Sequence, residues 1–127
     1  MAPHLLRIAV LLAAVAGGAA ADSPGALLRE LGSRLAVIRA ARAPDPVRLE
    51  RTPNVAPLLG AARRTILAQL GPPDNCAGGS EADCLASPAW NYSFVRAPPG
   101  RRAAGPELML LFNERGTVRN ARWNYAR

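Results

Sequence analysis

Two cysteines, Cys76 and Cys84, are the residues whose type and spacing most directly permit chemistry in this chain. Their spacing is not CxxC, which disfavours a thioredoxin-like redox pair, and two thiolates without a histidine make a poor zinc site. In an oxidising compartment the pair would form a disulfide, closing a short loop and stabilising the fold by about 2–3 kcal/mol. A disulfide that pins this loop is our main interpretation, and redox or zinc chemistry is the alternative.

Three carboxylates, Asp74, Glu81 and Asp83, lie around the cysteine loop. Such a group can serve acid–base catalysis or a weak calcium site, but the spacing matches no loop template, which favours solvated surface charges. The only histidine is His4, so a chain that loses its N-terminal segment also loses Ser/His/Asp and Cys/His catalysis and the commonest metal ligand. We expect no enzymatic activity, no cofactor and no metal site.

The first 21 residues have the pattern of a secretory signal. Arg7 supplies the positive flank, residues 8–16 the apolar stretch and residues 19–21 a small-residue cleavage site before Asp22. The alternative is an uncleaved anchor, although the apolar run is shorter than the roughly 20 residues that span a bilayer. The residue directly after the cleavage site is Asp22 and not the cysteine that a bacterial lipoprotein needs there. We therefore expect a periplasmic chain without a lipid anchor, either free or associated with the outer membrane.

The elements that position the cysteine loop begin with a helix over residues 23–42. Ser23 is a plausible N-cap and Pro24 suits the first helical position. One apolar stripe contains Leu27, Leu28, Leu31, Leu35 and Ile38. We expect this stripe to pack on a sheet, and binding to a partner or a membrane surface is the alternative. The proline-rich residues 43–57 predict an extended linker.

A second helix is expected to end at Leu70. Ile66 and Leu70 share a core-facing stripe, whereas Arg63 lies on the side expected to face water. Gly71 suits a left-handed residue just past the helix, and the two prolines that follow it cannot continue the helix. The stop is therefore sharp.

Three strands are predicted after the cysteine loop. Period-two patterns place one core-facing set on the first strand and another on the second, namely Trp90, Tyr92 and Phe94, then Leu108, Leu110 and Phe112. Gly116 ends a tight hairpin loop that leads into the third strand. By simple alternation, Val118 lies on one face of that third strand while Trp123 and Tyr125 lie on the other.

These elements predict an α+β fold in which two helices pack on one face of a three-stranded antiparallel meander, in the order ααβββ. The chain is long enough for one small domain after the signal. We divide it into the signal peptide (1–21), an N-terminal helix with its proline-rich linker (22–57) and a helix with a three-stranded sheet (58–127).

Three segments together resemble a known family: GAARRTILAQLGPPD from Gly60, WNYSF from Trp90 and ELMLLFNERGTV from Glu107. Over residues 59–123 this order of motifs is similar to the SmpA/OmlA (BamE-like) family of bacterial envelope proteins. The resemblance implies the same α+β fold and a role as an accessory subunit in outer-membrane β-barrel assembly. It also implies that exposed loops and strand residues contact partners and lipid. In that pattern Asn91 occupies the position of an exposed aromatic, and Arg96 lies near the position of a cation.

The charge of the chain is strongly positive, at +7, and every basic residue is an arginine. The enrichment is explained either by the codon bias of a GC-rich genome or by recognition of anions. An exported chain meets anionic lipid head groups and acidic protein surfaces before nucleic acid, so we expect no nucleic-acid partner. Arg101 and Arg102, in a Gly/Pro-rich loop, form the candidate patch, and a solvated loop is the alternative interpretation.

We therefore expect a non-catalytic periplasmic interaction domain that supports outer-membrane assembly or envelope integrity. Its expected partners are envelope proteins, including the β-barrel assembly machinery, and an anionic lipid surface. A small secreted inhibitor or ligand-binding module is the alternative, because similar small α+β folds also serve those purposes.

Overall fold

The computed structural model describes residues 23–42, 44–77, 81–100 and 103–126. The helical segments are α1 (Pro24–Ala40), a 3-10 turn (Ala56–Leu58), α2 (Arg63–Leu70) and the short α3 (Glu81–Cys84). The strands are β1 (Val47–Arg48), β2 (Asn75–Cys76), β3 (Ala89–Ser93), β4 (Val95–Arg96), β5 (Gly105–Phe112) and β6 (Val118–Ala126). The signal-like segment predicted for residues 1–21 lies outside the described residues.

Within the described ranges, the strands form a four-stranded antiparallel sheet in the order β2-β3-β5-β6 and a two-stranded sheet of β1 and β4. The α+β class is confirmed, but the predicted three-stranded meander is wrong. β1, β2 and β4 are two residues long each, so they carry no alternation that a sequence pattern reveals. Their neighbours, rather than their own sequences, make them strands.

One face of the larger sheet, which we call the inner face, forms the core. Trp90 pairs with Leu110 and Tyr92 with Leu108, and all four are fully buried. The eight residues predicted for the core are all buried, namely Ile66, Leu70, Trp90, Tyr92, Phe94, Leu108, Leu110 and Phe112. Both longer helices contribute to the same hydrophobic cluster.

Helix α1 packs on this core. The Ser23 hydroxyl accepts a hydrogen bond from the Ala26 N–H at 3.2 Å, which caps the helix, and Pro24 occupies the first turn. The buried stripe contains Leu28, Leu31, Leu35 and Ile38. The apolar side of α1 is therefore occupied by the domain itself.

Helix α2 ends as its sequence predicts. Gly71 has φ 74°, in the left-handed region that favours glycine, and its N–H donates to the Leu67 carbonyl. Arg63 differs from expectation: its side chain is half-buried, with the guanidinium 4.6 Å from the centroid of the Phe112 ring. The Arg63 guanidinium also donates to the Ser87 carbonyl at 3.0 Å, which joins α2 to the chain beyond the cysteine loop.

The aromatic strand divides at Phe94 into β3 and β4. The Phe94 N–H donates to the Pro106 carbonyl at 2.9 Å, while the Phe94 carbonyl accepts from the Leu49 N–H at 3.0 Å. Phe94 thus bonds to the large sheet on one side and to the proline-rich segment on the other. That segment is extended, as predicted, but β1 within it pairs with β4.

The hairpin between β5 and β6 turns at Gly116, which has φ 77°. A register shift follows, in which Leu111 pairs with Asn120 and Phe112 pairs with Val118. The extra residue, Arg119, is a β-bulge, which reverses the alternation of side chains along the strand. Val118 and Trp123 therefore lie on the same inner face, and the prediction of opposite faces is wrong.

Candidate functional site

Arg96, a predicted partner-binding residue, contacts the end of α1. Its Nη1 donates to the Arg39 carbonyl at 2.8 Å, and its side chain is exposed. Carbonyls of the last helical turn lack intrahelical partners, so a cation here satisfies one of them. Arg96 consequently has a structural role and still presents positive charge to solvent.

Asp74 forms an ion pair with Arg39. Its Oδ1 lies 3.2 Å from Arg39 Nη2, and its Oδ2 accepts the Ser93 N–H at 2.7 Å. Both side chains of the pair are about 40% exposed, so the Coulomb contribution is small, in the range of about 0–1 kcal/mol. The carboxylate considered for acid–base or calcium chemistry instead links α1, the segment after α2 and the end of β3.

Tyr92 connects this polar cluster to the core. Its ring is fully buried, and its hydroxyl donates to the Gly71 carbonyl at 2.7 Å. Burial raises the pKa of the phenol above its ordinary value of about 10, with Arg39 opposing the change and Asp74 adding to it. The group is therefore held neutral, as a hydrogen-bond donor.

This raised pKa predicts a loss of stability in alkali that belongs to one residue. The folded state retains the phenolic proton above pH 10, where an unfolded chain releases it. The contribution of Tyr92 to the free energy of unfolding is therefore fully present below about pH 10 and falls as pH rises beyond it. The slope approaches about 1.4 kcal/mol per pH unit. The chain has no lysine, and both of its cysteines are bonded in the disulfide.

Urea unfolding at several values between pH 8 and 11 measures this dependence. Tyr92→Phe is expected to remove most of the alkaline slope, whereas Tyr125→Phe, which changes the exposed tyrosine, is expected to retain it. Equal slopes in the wild type and in Tyr92→Phe would contradict the assignment.

The cysteine loop is closed by a disulfide between Cys76 and Cys84, with Cα atoms 5.6 Å apart. Trp90 Nε1 donates to the Cys84 carbonyl at 2.9 Å, and the Ser87 hydroxyl donates to the Ala77 carbonyl at 2.7 Å. The predicted disulfide is confirmed. No sequence pattern predicts the role of Ser87, a buried residue whose hydroxyl also accepts the Ala89 N–H.

The second face of the large sheet, which we call the outer face, carries the other proposed binding residue, Asn91. Register rows place its members opposite one another, and none is buried: Ala89, Asn91, Ser93, Glu107, Met109, Leu111, Asn120, Arg122 and Asn124. The contrast with the inner-face residues of β3 and β5, which are buried, shows that this side of the sheet faces solvent.

Polar groups on the outer face are incompletely paired. The Oδ1 atom of Asn91 is inaccessible and has no hydrogen-bond partner. Arg122 Nη2 lies 3.4 Å from the Met109 sulfur and Asn124 Nδ2 lies 3.7 Å from the same atom, and sulfur is a weak acceptor. The other predicted binding residues, Arg101 and Arg102, lie outside the described residues.

Two open grooves flank the segment that follows β1. The first, of ≈ 640 Å³, lies between α1 and residues 47–53 and has Glu30, Arg34 and Arg51 among its charged lining residues. The second, of ≈ 650 Å³, lies between residues 46–50 and the side of Pro106 and Tyr125. Both are open to solvent and are lined by apolar and charged residues.

In the described part of the chain, no group of three or more His, Cys, Asp or Glu side chains is placed to hold a metal ion. Among the same residues, no helix combines the length and apolar character needed to cross a membrane. Comparison of the chain with protein-family models, with curated proteins and with solved structures finds no match.

Proposed function

We propose that this protein is a non-catalytic interaction domain of the bacterial periplasm that supports outer-membrane β-barrel assembly or envelope integrity. The location rests on the signal-like pattern of residues 1–21, and the process rests on the motifs that resemble the SmpA/OmlA family. The geometry adds support for binding.

The observation that carries the binding proposal is the two-sided character of the large sheet. The helices and the core occupy the inner face, and the outer face combines amide, guanidinium and thioether side chains, of which Arg122 and Asn124 contact only the weak sulfur acceptor of Met109. Methionine and arginine are common in protein interfaces because one adapts its shape and the other bonds through several donors. A partner on the outer face could accept hydrogen bonds from side chains such as Arg122 and Asn124 without disturbing the packing of the core.

Site-specific photo-crosslinking in cells tests this function. A photoreactive residue at Asn120 or Asn124, both on the outer face, is expected to crosslink to components of the barrel-assembly machinery. The matched control is Val37, an exposed apolar residue on α1. Equal labelling of barrel-assembly components from Val37 and the outer face, or none from either, would contradict the proposal.

Gene deletion provides an independent measurement. Loss of the protein is expected to lower outer-membrane protein levels or to raise sensitivity to large antibiotics. Reversal of charge at Arg101 and Arg102 is expected to reproduce part of this defect. Arg96 is left unchanged in this variant because its guanidinium donates to the Arg39 carbonyl. An unchanged envelope after deletion would make the assembly function wrong.

The second candidate function, a small secreted inhibitor or ligand-binding module, is favoured by the two grooves beside residues 46–53. Their mixed lining suits an extended ligand more than an enclosed small molecule. Capture of a secreted hydrolase by the purified chain, with no effect of deletion on the envelope, would select this candidate.

A further inference from the structure

Strand β6 forms one edge of the four-stranded sheet and is its longest strand. Two bonds on the β3 side of β5 show which way its backbone groups point: the Phe94 N–H donates to the Pro106 carbonyl, and the Phe112 N–H donates to the Pro88 carbonyl. Even-numbered residues of β5 therefore direct their backbone groups toward β3, and odd-numbered residues direct theirs toward β6.

The register converts this pattern into a free edge on β6. Asn120, Arg122 and Asn124 lie opposite the odd-numbered residues of β5 and use their backbone groups within the sheet. Ala121, Trp123 and Tyr125 must then point their N–H and carbonyl groups away from the sheet. In the described residues these three make no backbone bond to any neighbouring segment outside the sheet.

The start of β6 is closed, which limits the free edge to its second half. The Gly60 N–H donates to the Val118 carbonyl at 2.8 Å, and the Val118 N–H donates to the Ala61 carbonyl at 2.9 Å. Ala62 forms a bridge with Thr117 just before the strand. The available template is thus the five residues from Ala121 to Tyr125.

The outer-face side of this edge is positively charged. Arg122 lies on this side of the free half, Arg119 lies at the bulge before it, and β6 contains no acidic residue. The carboxylate on the outer face is Glu107 of β5, opposite Asn124. Within the described ranges the ion pair present is that of Arg39 with Asp74, so neither arginine of β6 is neutralised by a carboxylate. Cations on an edge strand discourage pairing with a second copy, since like charges would approach each other, and they favour an acidic strand.

The inner-face side of the same edge is apolar. Trp123 is half-buried, with its Nε1 donating to the Pro53 carbonyl at 2.8 Å, and Tyr125 is 67% exposed. The second groove opens beside Tyr125, and its wall combines the apolar Val47, Leu49 and Pro106 with the charged Arg48 and Glu50. An added strand would place alternate side chains against this apolar side and the others beside Arg122.

We propose that the free edge of β6 binds an extended segment of another protein in which apolar side chains alternate with carboxylates. The segment adds a fifth strand along Ala121–Tyr125, with backbone hydrogen bonds giving affinity and the alternation giving specificity. The inference rests on the proposal that the chain acts by binding, and not on its cellular location.

A blocked seven-residue peptide of alternating valine and glutamate is the probe, titrated into the purified full chain. Amide exchange at Ala121, Trp123 and Tyr125 is expected to slow at least tenfold at saturation. Methylation of alternate peptide nitrogens, which removes donors along one side and keeps the side chains, is expected to weaken binding at least tenfold. Equal binding of the methylated peptide, or no binding at millimolar concentration, would overturn the proposal.

Protein variants test the charge and the edge separately. Arg122→Glu is expected to weaken the valine–glutamate peptide and to strengthen a valine–lysine peptide, whereas Arg29→Glu, the same change on α1, is expected to do neither. Ala121→Pro removes an N–H that the sheet does not use and is expected to abolish binding without unfolding the protein. Charge selectivity that is identical in Arg122→Glu and Arg29→Glu would exclude this edge.

Two further outcomes separate this inference from its rivals. Protection of the same amides that rises with protein concentration in the absence of peptide would assign the edge to a second copy, and would overturn the proposal. Peptide binding at β6 in the absence of crosslinks to barrel-assembly components would uphold the inference while removing the proposed function.

Discussion

Replacing Tyr92 by alanine is expected to lower the free energy of unfolding by about 3–5 kcal/mol, the range for removing a buried aromatic side chain. The ring is fully buried between the sheet and the helices, so its loss leaves a cavity that the surrounding core cannot fill completely. The substitution also removes the hydroxyl that donates to Gly71, where the chain leaves α2. Urea unfolding at pH 7 measures the change.

Two variants separate the parts of this effect. Tyr92→Phe keeps the ring and deletes the 2.7 Å hydrogen bond, which is expected to cost about 1–2 kcal/mol. Tyr125→Ala, at the exposed tyrosine, is expected to stay within about 0.5 kcal/mol of the wild type. A loss below about 1 kcal/mol for Tyr92→Ala would mean that the inner face at Tyr92 is not packed.

The residues that the sequence revealed are those with a strong local signal. The alternation of Trp90, Tyr92 and Phe94 identifies a strand because every second side chain of a strand points to the same face of the sheet. Gly71 and Gly116 mark a helix end and a turn because both positions need positive φ. Such signals depend on a few neighbouring residues, so they can be read without the fold.

The features that the sequence concealed depend on contacts distant along the chain. β1 is a strand because Val47 and Arg48 pair with β4, and no pattern in a proline-rich segment predicts that pairing. The bulge at Arg119 reverses the faces of β6, so counting alternate residues from Val118 placed Trp123 on the wrong side.

The candidate binding residues show the same division. Asn91 alternates with Trp90 and Tyr92, so the same period-two pattern predicts the opposite side of the strand for it, and it lies on the outer face. Arg96 is predicted from the resemblance, because it lies near the position of a cation in that family, but its bond to the Arg39 carbonyl, 57 residues away in the sequence, has no local signal. The open edge of β6 was missed because strand order in a sheet is a property of the whole chain.

Gly32 lies where α1 passes close to the backbone of α2, and Gly32→Val is expected to destabilise the protein by about 2–3 kcal/mol. A Cβ atom at this position would lie 2.5 Å from the Gln69 carbonyl oxygen, well inside any normal contact. Because that oxygen belongs to the backbone of α2, relief requires the helices to separate. Valine has little advantage over glycine in helix propensity, so no local gain offsets the clash.

Gly25→Val in the same helix is the matched control. A Cβ atom there would lie 3.4 Å from Arg29 Nη1, the end of a flexible side chain that can move, so the change is expected to be within about 1 kcal/mol of the wild type. Urea unfolding of both variants also tests whether α1 belongs to the folded domain. If α1 were instead a detached helix held for a partner, Gly32→Val and Gly25→Val would unfold at the same urea concentration, and the burial of Leu28, Leu31 and Leu35 would contribute nothing to stability.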